Sequence, residues 1–122
     1  MTAIRRFEDI EGWKASRLLS QELDRITLES RQFKDVKLLT QLGDCADSAM
    51  SNIVEGFDSG SDPEFHRFLK ISYRSLSEFQ SHLYTALDRA CICKASFDHL
   101  YELARQAKGK VGGFMRYQTG IR

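Results

Sequence analysis

Asn52 and Glu55 stand three residues apart in the stretch SNIVEGFDSGSDPEF, Ser51 to Phe65. An amide and a carboxylate at that spacing share one helical face. They have the types of a reactive pair. They also have the types that close hydrogen bonds at a helix end, and this second reading needs no further residues. It makes Asn52, Glu55 and Gly56 a structural motif, with Gly56 releasing the chain. Glu78 and His82 are four apart and have the types of metal ligands. Di-metal bundles use Glu-x-x-His pairs plus glutamates from facing helices, and that spacing is absent, so the pair reads as a surface ion pair. Cys91-x-Cys93 followed by His99 is too sparse for zinc, which takes four ligands in two pairs. Serines are plentiful, but none sits in a strained strand-to-helix elbow beside a base. No glycine-rich phosphate loop is present. The expectation is no catalytic residue, no metal, no cofactor and no small-molecule substrate.

A second chemistry is electrostatic. Arg105, Lys108, Lys110, Arg116 and Arg122 run along the C-terminal segment with Phe114 and Tyr117 among them, and Arg5 and Arg6 can extend the run. Basic residues interleaved with aromatics suit a nucleic-acid backbone and its bases. A solvated helix face has the same composition.

The elements that must position these groups are helices. Apolar residues recur at spacings of three and four, which marks helices with one buried stripe. The pattern predicts helices from about Phe7 to Ile26, from about Asp35 to Glu55, from Phe65 to Leu87, and from about Phe97 to Met115. Asp62 is expected to cap the third helix with Pro63 in its first turn, and Ser96 to cap the fourth. Gly43 interrupts the second helix, and Gly109, Gly112 and Gly113 crowd the fourth, where fraying is expected ahead of a kink or a close approach. Short loops between long helices favour antiparallel neighbours. The predicted fold is all-α: one antiparallel up-down-up-down four-helix bundle over residues 1–122.

At 122 residues the chain supports one core without staples. Three cysteines, an odd number with no leader-like segment, point to a reducing cytoplasm. No run of about 18 apolar residues exists, so no membrane span is expected. The net charge of +1 is too small to imply an indiscriminate polyanion binder. Its distribution is uneven. Residues 38–66 carry six acids and no Lys or Arg, whereas residues 94–122 carry six Lys and Arg against two acids. Such asymmetry suits self-association or a charged partner.

The segments FEDIEGW, SNIVEG, EFHRFLKIS and SLSEFQSHL follow one another in an order and spacing that span nearly the whole chain. Together they resemble the four-helix-bundle proteins encoded in intervening sequences of bacterial large-subunit ribosomal RNA genes. The accessory protein of diversity-generating retroelements is similar to the same family. The matching positions are Phe7, Trp13, Gln41, Ala46, Ser48, Asn52, Ile53, Glu55, Gly56, Glu64, Phe65, Phe68, Leu69, Ser75, Leu76, Glu78 and Leu83. The resemblance implies an antiparallel bundle that assembles as a ring-like homopentamer, without enzymatic activity. RNA or DNA binding is its proposed role, better supported for the more basic retroelement branch. There are departures. Gly43 and Asp44 stand where family members usually carry two arginines, Asp47 where an apolar residue is usual, and Arg74 where a glycine is common. Lost positive charge argues against nucleic-acid contact through the second helix. Asp44 and Asp47 then have two partners open to them, Arg74 or a neighbouring subunit. The alternative function is a protein-protein interaction scaffold with no nucleic-acid role.

Overall fold

The structure is a computed structural model that describes residues 4–30 and 33–117. A short 3-10 turn over Phe7–Asp9 precedes four helices: α1 (Glu11–Ser30), α2 (Val36–Asp58), α3 (Asp62–Asp88) and α4 (Lys94–Arg116). Each helix packs on its chain neighbours, and α4 closes on α1. The two diagonal pairs do not approach. Side-chain contacts fix the directions. Gly56 lies against Phe65, Ser72 bonds to Ala49 and Ser48 to Ser75, so α2 and α3 run antiparallel. Tyr84 packs on Phe97 and Phe65 on Phe114, which sets α4 antiparallel to α3. His99 meets Glu22 and Val111 meets Gly12, which sets α1 antiparallel to α4. The arrangement is up-down-up-down, as the periodicity predicts.

The stripes that define the helices meet in one core. Leu19, Leu42, Ile53, Leu69, Leu76, Phe79, Leu83 and Leu100 have no exposed surface. Burying each such side chain contributes roughly 1.5–3 kcal/mol, which is why four helices with exposed polar faces assemble. Among the described residues, no helix is long and apolar enough to cross a membrane.

Several helix ends differ from the sequence reading. α2 does not stop at Gly56. It continues to Asp58, and Gly56 is buried inside it. Its glycine serves a close approach: a Cβ there would stand 2.7 Å from Phe65 Cδ1 and 2.9 Å from Phe68 Cβ. The loop that follows turns through Gly60 at φ +84°, a conformation only glycine adopts freely. The cap of α3 is Ser61, not Asp62: its extended backbone lets the hydroxyl accept from the Glu64 N–H. Asp62 and Pro63 then fill the first turn. α4 starts at Lys94, three residues before the prediction, with Cys93 rather than Ser96 at the cap. α4 also runs unbroken through Gly109, Gly112 and Gly113, so the expected fraying is not found there.

α3 ends in a feature no residue type announces. Ala90 adopts φ 58°, its N–H bonds to the Leu87 carbonyl, and the Cys91 N–H bonds to the Ala86 carbonyl at 2.8 Å. This is the Schellman pattern, in which the left-handed position normally holds glycine. The Cβ of alanine costs about 1–2 kcal/mol in that conformation. Glycine's greater unfolded-state freedom offsets part of the gain. Ala90→Gly is therefore expected to stabilise the fold by about 0.5–1 kcal/mol. A rise in Tm by circular dichroism would support this; an unchanged or lower Tm would refute it.

Candidate nucleic-acid interface

Of the polar side chains of SNIVEG, only Asn52 is drawn into the helix packing. Asn52 Nδ2 donates to the Ser48 carbonyl at 2.8 Å and to Ser48 Oγ at 3.0 Å. Ser75 Oγ donates to the Ile71 carbonyl, which leaves the Ser48 hydroxyl to donate across the helix pair to Ser75 Oγ at 2.8 Å. One turn along, buried Ser72 donates to the Ala49 carbonyl at 2.8 Å. Small hydroxyl residues thus let α2 and α3 pack closely with their polar atoms satisfied. Asn52 acts through Ser48 of its own helix. Glu55 is exposed to water, with the Arg67 guanidinium as a distant opposite charge.

The cysteines and histidines are dispersed. Cys45 is buried in the α2/α3 seam, and burial, then Glu78 and Asp44, push its thiol up to about 11. Cys93 lies exposed at the start of α4, where the Ser96 hydroxyl and backbone N–H groups lower its pKa. Among the described residues, no three His, Cys, Asp or Glu side chains gather as metal ligands.

His99 joins α4 to α1 through Glu22, at 2.7 Å. Arg25 holds the same carboxylate with two nitrogens and also reaches Glu29 at 3.2 Å. Arg25 first, and His99 second, hold Glu22 at about 2, down from 4.5. A cleft of about 350 Å³ opens beside them between α1 and α4, but its charges already neutralise one another. A depressed carboxylate stabilises the fold above its unfolded pKa, and that contribution is lost as pH falls toward the folded value. Thermal stability is thus expected to fall between pH 4.5 and about 2, and Glu22→Gln to flatten that limb. Melting curves across that window check it; an acid limb as steep as wild type would show that other carboxylates govern it.

The sequence-predicted basic track divides. Arg105 is held by Glu102 through three hydrogen bonds of 2.6–2.9 Å. Lys110 is exposed on the flank that faces α1, where Glu11 is an opposite charge. Lys108 turns the other way, to α3. Arg116 is exposed on that same α3 side, in a cleft with His66 and Tyr73. Arg122 lies outside the described residues. Phe114 packs inward on Phe65, with ring centroids 5.3 Å apart. At the N-terminus, Arg6 is paired with Glu8 and Asp9.

What the bundle does assemble is a seam of cations and aromatics along the outer junction of α3 and α4. At one end exposed Tyr84 meets Phe97 and Tyr101, and the Lys94 ammonium, paired with Asp98, lies 5.2 Å from the Phe97 ring. In the middle, the buried amide of Gln80 accepts from Lys108 Nζ at 3.0 Å and holds the ammonium 5.0 Å from the Tyr73 ring. At the far end are His66, Met115 and Arg116. Lys70 and Arg74, one turn apart on the α3 flank, make no ion pair among the described residues. From His66 to Tyr84 the seam runs about 27 Å along the helix at 1.5 Å per residue. The signal for it was in the sequence: His66, Tyr73, Gln80 and Tyr84 recur at sevens and fours on one flank of α3.

The opposite charge lies on α2. Asp44, Asp47, Glu55 and Asp58 are exposed there at helical spacing. Asp44 and Asp47 do not pair with Arg74 in the same chain.

The sequence model of the 23S rRNA-intervening sequence proteins matches residues 8–113. The chain belongs to this family. The match covers all four helices almost entirely, and includes the Ser48–Asn52–Ser75 stitching and the α3/α4 seam as far as Gly113. None of the curated proteins compared with the chain matches it. On the α2 face of this intervening-sequence protein, Gly43 is followed by exposed Asp44 and Asp47.

Proposed function

We propose that this intervening-sequence protein is a non-enzymatic, self-assembling accessory protein that holds RNA along the α3/α4 seam. The observation that carries the reading is the alternation of aromatic rings with cations along one helix junction, with Lys108 held over Tyr73 by Gln80. Cations neutralise phosphates, and ring faces stack with bases whatever their sequence. The family name directs attention to RNA. The separation of an acidic α2 face from a basic α3/α4 face favours head-to-tail packing of copies, and a ring forms where that rotation closes. A homopentamer is the assembly proposed. Buried Cys45 and Cys91, both free thiols, suit a cytoplasmic protein.

The test is a titration of structured ribosomal RNA on protein of measured mass. Binding is expected to weaken steeply with salt, as counterions are released. No binding at low salt would remove the RNA role. Light scattering is expected to give five times 14.0 kDa; a monomer at micromolar concentration would remove the assembly. The acidic α2 face favours a second reading, a protein-interaction scaffold that meets basic partners there. Co-purification with and without nuclease separates the two, since only RNA-dependent partners are lost on digestion.

A further inference from the structure

The far end of the seam holds a recess that phosphate binding does not require. A cleft of about 260 Å³ opens between α3 and α4, lined by His66, Tyr73, Gly112, Met115 and Arg116. That is below the roughly 300–1,000 Å³ of drug-sized pockets, and suits one flat ring system. Its chemistry is mixed in the way a nucleobase demands. Tyr73 offers a ring that is 37% exposed, and Met115 a polarisable thioether surface. His66 and Arg116 supply hydrogen-bonding groups at the walls. Gly112 makes the room: a Cβ there would meet Tyr73 Cε2 and Arg116 Nη1, each at 3.5 Å. Lys108 stands over Tyr73, beside the recess, where a flanking phosphate would lie.

We infer that this cleft seats a single unpaired base of a single-stranded RNA segment, with Tyr73 as its stacking surface and Lys108 on the adjoining phosphate. The inference rests on the RNA reading above and narrows it. A duplex keeps its bases stacked on one another and offers the recess nothing, whereas a loop or bulge can extrude one. An exposed tyrosine at the mouth of a ring-sized recess has a use only in the second case.

The experiment compares three fluorescein-labelled probes on the full chain: an oligouridylate of about 12 nucleotides, an abasic ribose-phosphate oligomer of that length, and a blunt RNA duplex of that length. Stacking of one base predicts about a tenfold preference for oligouridylate over the abasic oligomer. Tyr73→Ala and Gly112→Leu are each expected to erase that preference, weakening oligouridylate binding more than abasic or duplex binding. Tyr73 is at the surface, so its variant tests the idea even where Gly112→Leu does not fold. Equal binding of all three probes by the wild type would overturn the base seat and leave the RNA role standing. So would equal weakening of all three by Tyr73→Ala. Binding of none at low salt would overturn both.

Discussion

Gly56→Ala is expected to destabilise the bundle by about 1–3 kcal/mol. Gly43→Ala, in the same helix, is expected to stabilise it by up to about 1 kcal/mol. Helix propensity favours alanine equally at both positions. The surroundings decide the sign. Around a Cβ at Gly43 nothing lies within 4 Å. At Gly56 the new carbon would stand 2.7 Å from Phe65 Cδ1, 2.9 Å from Phe68 Cβ and 3.2 Å from the Phe65 carbonyl oxygen. Phe65 is not free to move aside. It is buried, packed edge-on against Phe57 and set against Phe114. The clash must be met by spreading the start of α3 from the end of α2, which loosens the Ser48–Ser75 and Ser72–Ala49 bonds further along. Denaturation in urea, read by circular dichroism, gives both values. Two shifts of the same sign would refute the close approach. A total stability of about 5–15 kcal/mol makes the Gly56 loss easy to resolve.

The contrast between these glycines also shows where the sequence stops being legible. The stripe of Leu39, Leu42, Ala46, Ala49 and Ile53 announces α2, because periodic burial leaves a periodic trace. Gly56 leaves only a residue type, and glycine has two uses. It reads as a chain-release signal from the sequence alone, yet its use here is a close approach that depends on Phe65 and Phe68 of another helix. The cap of α3 was readable: Ser61-x-x-Glu64 has capping-box spacing, although Glu64 turns to Arg67 instead of back to the cap. Ala90 and Cys93 were not readable, since neither is a typical end residue and tertiary packing places them.

The candidate interface failed to show for a related reason. A basic track sought along α4 alone collects Arg105, Lys108 and Lys110 by proximity in sequence. A helix turns 100° per residue, so Lys108 and Lys110 end on different flanks. Tyr73 and Gln80, which give Lys108 its setting, come from α3 and are missed by a scan of α4 alone.

That difference yields the second large effect. Replacing Lys70, Arg74 and Lys108 together by alanine is expected to weaken single-stranded RNA binding about 100-fold near 0.1 M salt, as each phosphate contact contributes a log-salt slope of about 0.7 on single strands. The slope itself should fall by about 2. Replacing Arg105 and Lys110, the residues a linear reading selects, is expected to cost less than about tenfold. Arg105 already gives its guanidinium to Glu102, so little of its charge is left for a phosphate. Lys110 faces Glu11 across α1, away from the seam. Anisotropy titrations at several salt concentrations measure both quantities. Lys70 and Arg74 are exposed and Lys108 is half-buried, so helicity is expected to survive the triple substitution. A larger loss from the Arg105 and Lys110 pair would move the interface to the outer face of α4. Equal small losses from both sets would remove RNA from the α3/α4 seam.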